Sequence, residues 1–297
     1  MLKFTRGRNE SGQVLVLLAV AMLALVGLLA QAIDGGFLYL NRRRMQNAAD
    51  AGALAGGRVL ALNGTGAQAY AAAHDYAVNR NHAATVDIRV NSPSISVKAC
   101  TAVDMTFARV LGVDQRTVCA SAGGRFDGVS ETGGAAPIAI RDFPYVIGQP
   151  YTIWDDETDA DPMSGNIQGS YRGWLCMTCV NADCGACGSE LLKTWMLDGY
   201  DGTMSVGTWI RGESGVTASV IQQAVVGQIL RIVIFDQKAE QYPGKDYYHA
   251  IKIAAFKVTN VYATGNPKGI RGTFEYYVTS GPPAPDDGGL RMVHLEQ

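Results

Sequence analysis

At 297 residues the chain has room for a membrane anchor and two modest domains. A formal net charge of −2 at pH 7 argues against nucleic acid as a partner. With 47% hydrophobic residues and six cysteines, the composition suits an envelope protein better than a cytosolic enzyme.

Residues 1–13 read as a basic tail carrying Lys3, Arg6 and Arg8. Residues 14–33, VLVLLAVAMLALVGLLAQAI, hold no charge, and as a helix of about 20 residues they cross the roughly 30 Å hydrocarbon core of a bilayer. The apolar run continues into IDGGFLYLNRRRMQNAADAGALAGG without a turn signal, unlike a cleaved signal peptide. Past Asp34 the pattern becomes amphipathic. Ile33, Phe37, Leu40, Met45, Ala48, Gly52, Ala55, Val59 and Leu62 lie near one stripe, with Arg42, Arg43, Asn47, Asp50 and Arg58 largely outside it. One helix over residues 12–62 would be roughly 75 Å long, its first half suited to lipid and its second to a protein surface. Gly35 and Gly36 are its weak point, at about 1 kcal/mol each relative to alanine, and a kink is expected there.

Residues 66–124 predict a helix (GAQAYAAAHDYAVNRN), two strands (TVDIRV and SISVKAC) around Asn91-Ser92-Pro93, a short helix (MTFARVLG) and a returning strand (RTVCASA). A small antiparallel sheet laid on the long helix is the expected arrangement. Cys100 and Cys119 fall on neighbouring strands. A bridge there closes a loop of about 20 residues, worth about 3 kcal/mol in the chain-entropy model; the alternative is two buried thiols.

Residues 126–136, polar and glycine-rich, predict a linker, and residues 137–280 a β-rich domain of sandwich or barrel-like form. Its strands are PIAIRD, YTIW, TMSVGTWI, QILRIVIFD, YYHAIKIAAFKVTNVYA and GIRGTFEYYV; SELLKTWML and SVIQQAVV read as short helices. Residues 281–297, with GPPAPDDGG, predict a disordered tail. Cys176, Cys179, Cys184 and Cys187 form C-x2-C-x4-C-x2-C, which brings four sulfurs together. Three chemistries compete: two nested disulfides, for example Cys176–Cys187 with Cys179–Cys184; a structural zinc site; or a redox-active C-x-x-C. The x4 interval is short for a zinc ribbon, and disulfides are preferred for an oxidising compartment.

Other motifs are weaker. Asp155, Asp156, Glu157, Asp159 and Asp161 crowd one loop without EF-hand spacing, so a solvated acidic loop is preferred over a Ca²⁺ site. His74, His82, His249 and His294 are scattered, and GESG at 212–215 falls short of a nucleophile elbow. No enzymatic constellation, cofactor or catalytic metal is expected. Trp154, Trp174, Trp195 and Trp209 would serve a binding surface if exposed, although strand packing is the commoner use.

Across residues 12–125 the chain resembles the TadE/TadG-like proteins that accompany Flp-type (tight-adherence, type IVc) pili. The resemblance rests on Gly12 and Gln13 before the apolar run, Asp34, Gly35 and Tyr39 after it, then Leu40, Arg42 to Arg44, Gln46, Asn47, Asp50 and Ala53-Leu54-Ala55. Phe107 to Val113 and Cys119-Ala120-Ser121-Ala122 continue it. The C-terminal half is similar to long relatives through Gly165-Asn166, Gly173-Trp174-Leu175, Asp198-Gly199-Tyr200, Val206 to Trp209 and Ile251 to Phe256. Secreted pilins are trimmed after a glycine and usually carry glutamate at mature position five. Counted from Gly12 that position is Leu17, so an uncleaved anchor is expected. No Asp-x-Ser-x-Ser triplet occurs, and no adhesion-type Mg²⁺ site is expected.

The sequence therefore predicts an α+β protein: a long N-terminal transmembrane helix packed on a small antiparallel, pilin-like sheet (residues 34–125), followed by a β-rich C-terminal domain. Its expected partners are membrane lipid and pilus or secretion components, with the N-terminus cytoplasmic and the bulk extracytoplasmic. The resemblance implies a non-enzymatic role in pilus assembly; the alternative is a surface adhesion or ligand-binding module without a pilus.

Overall fold

The computed structural model describes residues 11–214 and 218–296. The basic residues Lys3, Arg6 and Arg8 and the end of the GESG stretch lie outside them, and the side chains of Gly12 and Gln13 are not described.

The chain begins with α1 (Ser11–Ala61), which runs unbroken through Gly35 and Gly36. Then come α2 (Gly66–His74), β1 (Thr85–Asn91), β2 (Ser94–Asp104) and β3 (Gln115–Val129). A capping box starts α2: the Thr65 hydroxyl accepts from the Gln68 amide, and the Gln68 carboxamide oxygen accepts from the Thr65 amide. Beyond Val129 lie β4 (Glu131–Gly133), β5 (Ala135–Arg141), β6 (Pro150–Trp154), β7 (Asn166–Ile167), β8 (Arg172–Val180), α3 (Ser189–Asp198) and β9 (Thr203–Ser205). The order continues through β10 (Trp209–Glu213), α4 (Ala218–Ile221), β11 (Ile229–Tyr242), β12 (Lys245–Tyr262), β13 (Gly269–Glu275), β14 (Tyr277–Val278), β15 (Pro283–Ala284) and β16 (Leu290–Glu296).

Antiparallel β1, β2 and β3 form the first sheet, and β16 adds to the far side of β3, with β14 beyond it and β15 also pairing β3. The helix lies on this sheet through its small residues. Met45, Ala48, Ala49, Gly52, Ala53, Gly56 and Leu60 are buried at helical spacing. This stripe differs from the expected one, because Ile33, Phe37, Leu40 and Leu62 are exposed. Small side chains let the helix backbone approach the strands closely, and the bulkier ones sit where no strand covers them. A Cβ on Gly52 would lie 3.0 Å from the Ala73 carbonyl oxygen of α2, and one on Gly124 2.5 Å from the Ala53 carbonyl oxygen of α1.

The second half is a mixed sheet in which β10 pairs with both β8 and β12. Strands β10, β8, β5, β11 and β12 thereby close on themselves as a small barrel, from which β13, β6 and β7 extend. Residues Ile138, Ile140, Leu175, Ile210, Ile232, Ile234 and Phe256 fill its core, with Leu192 and Trp195 of α3 packed against it. Closure removes free edges from strands rich in β-branched residues.

Two expectations are corrected. The segment 126–136 is strand rather than linker, since β3 runs to Val129 and β4 and β5 follow directly. Residues 290–296 of the expected disordered tail form β16, which pairs Arg291↔Gly128 through Glu296↔Gly123. Alternating apolar residues in LRMVHLE follow the glycine-rich stretch, and β3 offers them an open edge. The barrel half is thus inserted between strands of the first sheet. Cluster Val129, Ile253, Ala255 and Leu290 joins the two halves. The expected strand TMSVGTWI is split into β9 and β10, with Gly207 at φ 82° making the turn.

Candidate membrane and assembly interface

Over residues 14–29 the side chains of α1 are exposed apolar groups with nothing packed on them. This is a helix long and apolar enough to cross a membrane. Beyond it, Phe37, Tyr39 and Leu40 remain exposed before Arg42, Arg43 and Arg44, roughly 12–15 Å further along the axis than Asp34. An aromatic pair followed by three guanidinium groups suits the passage from hydrocarbon edge to headgroups.

Asp34 lies just past the bare apolar run and is only 7% exposed. Its carboxylate accepts from three consecutive backbone amides: Thr106 at 2.9 Å, Phe107 at 3.0 Å and Ala108 at 2.7 Å. These amides open the short helical turn Ala108–Leu111 at the tip of the β2–β3 hairpin. The geometry follows from lengths. From its start beside Gly56 of α1, where Ile95 packs, β2 advances about 3.3 Å per residue to Asp104, and α1 covers a similar distance back to Asp34 at 1.5 Å per residue. The hairpin tip therefore reaches the C-terminal end of the bare apolar run. There it exposes Phe107 and Val110, the latter 86% exposed.

Replacing Asp34 by alanine is expected to leave the Thr106, Phe107 and Ala108 amides without an acceptor. Their hydrogen-exchange protection should fall roughly a hundredfold while the barrel amides hold theirs. Exchange measured on the full chain in lipid nanodiscs checks this, and unchanged protection at Phe107 would remove Asp34 from the role.

The cysteines are paired as Cys100–Cys119, Cys176–Cys187 and Cys179–Cys184, with no free thiol. Cys100 and Cys119 face each other across β2 and β3 with Cα atoms 4.1 Å apart. The other two bridges nest across the loop after β8. Sulfurs so paired are not thiolate ligands, although Cys176 and Cys187 lie near Glu213. Three carboxylates of the acidic loop accept from backbone amides. Asp155 accepts from the Lys268 amide, Asp156 from the Thr158 amide and hydroxyl, and Asp161 from the Met163 amide. The Thr158 amide holds the Asp156 carboxyl below the usual carboxylate range. None of the four tryptophans is an exposed platform: Trp174 and Trp195 are buried, and Trp154 and Trp209 half-buried.

Residues 12–74 match the Flp pilus-assembly TadE/G-like family model. The match takes in the apolar helix, Asp34 and α2, and ends before the first strand. Curated proteins and solved structures returned no match to the chain.

Within residues 12–74 the structure sorts the motif residues. Asp34 is buried against the hairpin tip; Tyr39 and Asn47 are exposed; Asp50 accepts from the Gln46 carboxamide at 2.7 Å. The Gln46 carboxamide also reaches the Ser121 carbonyl at 3.4 Å. Sequence reasoning missed the partner of Asp34, because that partner is backbone. It also missed Arg291, whose buried Nη1 donates to the Ala61 carbonyl at 2.8 Å and caps the C-terminal end of α1.

Proposed function

We propose that this protein is a membrane-anchored, non-enzymatic component of Flp-type pilus assembly, either minor-pilin-like or an assembly factor. The single observation that carries the reading is the TadE/G-like match over the helix whose N-terminal half is bare and whose C-terminal half is packed on a sheet. A bare apolar helix is free to take lipid on one side and a neighbouring pilus or secretion component on another. The N-terminus lies in the cytoplasm and the sheet and barrel lie outside. Three disulfides support that orientation, since they persist in oxidising compartments. The anchor is retained rather than trimmed, in keeping with Leu17 where a processed pilin usually carries glutamate.

Photo-crosslinkers placed at Leu23 and Leu29 in native cells test the assembly role. Adducts with Flp-type pilin or its secretion machinery, identified by mass spectrometry, are the expected result. Adducts with lipid alone at both positions overturn it. Intact mass tests the rest. The protein taken from its membrane should keep residues 1–12, and its cysteines should alkylate only after reduction. Free alkylation without reduction would reverse the orientation.

A further inference from the structure

The barrel carries a cavity that the assembly role does not use. It lies at one mouth, where β8 begins, β10 ends and the β11–β12 hairpin turns, and encloses about 650 Å³. That is room for one or two sugar rings and far more than a lone inorganic ion needs. Among the described residues, the buried side-chain nitrogens with no hydrogen-bond partner are Arg172 Nε, Trp174 Nε1, Arg211 Nε and His294 Nδ1. The first three belong to residues lining this cavity. Arg172 and Trp174 are more than nine-tenths buried. These three residues form part of the cavity wall, and each keeps one nitrogen without an acceptor inside that wall, so the wall is built from polar side chains rather than apolar ones.

The charges narrow the class. Arg172 pairs with Glu157 at 2.8 Å and Lys238 with Asp246 at 2.9 Å. Arg211 has no carboxylate partner among the described residues; its Nη1 donates to the Cys184 carbonyl at 2.6 Å, which leaves the rest of the fork for an incoming carboxylate. Glu213 commits Oε1 to the Cys187 amide at 2.9 Å, and Asp159 commits Oδ1 to the Ser170 amide at 2.6 Å. The Ser170 amide holds the Asp159 carboxyl below the usual range, so it is an acceptor at neutral pH. The lining therefore carries bases and acids in equal number. A polyanion would meet four carboxylates there; a ligand with many hydroxyls and one acid group satisfies both signs. Arg211 and Glu213 are each tied to the nested-disulfide loop, which fixes that wall before any ligand arrives.

We propose that the barrel mouth binds an acidic saccharide, a sugar residue bearing one carboxylate, with Arg211 taking the carboxylate and Glu213 and Asp159 taking hydroxyls. This reading is independent of the pilus role. Isothermal titration of the full chain in nanodiscs with D-glucuronate, D-glucose and inorganic phosphate tests it. Glucuronate should bind one to one, with glucose at least about tenfold weaker, and Arg211→Gln should lose about tenfold or more in glucuronate affinity while keeping three disulfides and the wild-type melting temperature. Glu213→Gln serves as a second variant if Arg211→Gln does not fold, with the same loss expected. The proposal fails if glucuronate shows no heat up to about 20 mM, a limit already weak for a specific site. It also fails if phosphate binds as tightly as glucuronate, or if the variant that folds binds glucuronate unchanged.

Discussion

Deleting residues 290–297 is expected to cost the helix-plus-sheet half about 5 kcal/mol or more and to abolish its cooperative unfolding. The deletion removes the strand that pairs β3 from Gly123 to Gly128, opening that edge beside the helix. It also removes Leu290, fully buried in the cluster that joins the two halves, and Val293, which packs against Gly57 of α1. Arg291 is lost with them. Its guanidinium stacks 3.6 Å from the Tyr276 ring centre and 4.6 Å from that of Phe126 while it holds the Ala61 carbonyl. Losing a buried cap, an apolar anchor and a strand together exceeds what a domain of this size holds in reserve. Circular dichroism melts and limited proteolysis check it. A truncated chain that melts cooperatively at the wild-type temperature would mean β16 is dispensable.

Gly124→Val is expected to destabilise the same half by about 4 kcal/mol. The position lies where β3 crosses α1, and the nearest atom to an added Cβ is the Ala53 carbonyl oxygen at 2.5 Å. That atom is helix backbone, so relief requires the helix to move away from the sheet. Moving it would also loosen Gly56, whose missing side chain admits Ile95, and Gly57 beside Val293. Gly35→Ala is the matched control. Nothing lies within 4 Å of a Cβ there, and alanine is the better helix former by about 1 kcal/mol, so the change should be neutral or slightly stabilising. Urea unfolding of the two variants in detergent checks the contrast, and equal stabilities would show that the helix does not rest on the sheet at Gly124.

Much of this was legible because the signals are local. The apolar run of residues 14–33 follows from hydropathy, and α2 from the strong helix formers of GAQAYAAAHDYAVNRN. β1 and β2 read from alternation around Asn91-Ser92-Pro93, and the Cys pattern brought Cys176 to Cys187 together. The buried stripe of α1 was placed partly wrongly for a physical reason. Hydrophobicity favours Phe37 and Leu40, but contact with a sheet favours alanine and glycine, and here closeness decides.

The sequence by itself determined a helix long and apolar enough to cross a membrane, the α+β class and the likeness of residues 12–74 to the Flp pilus-assembly TadE/G-like family model, since each rests on neighbours within a few turns of chain. Tertiary structure alone decided three things. Asp34 meets amides more than 70 residues away, β16 closes the edge of a sheet begun some 200 residues earlier, and Arg172, Trp174 and Arg211 come together around one barrel mouth. In each case the partner is backbone, a free strand edge or an open space. Those have no residue type of their own, so they come into being only when the chain has closed on itself.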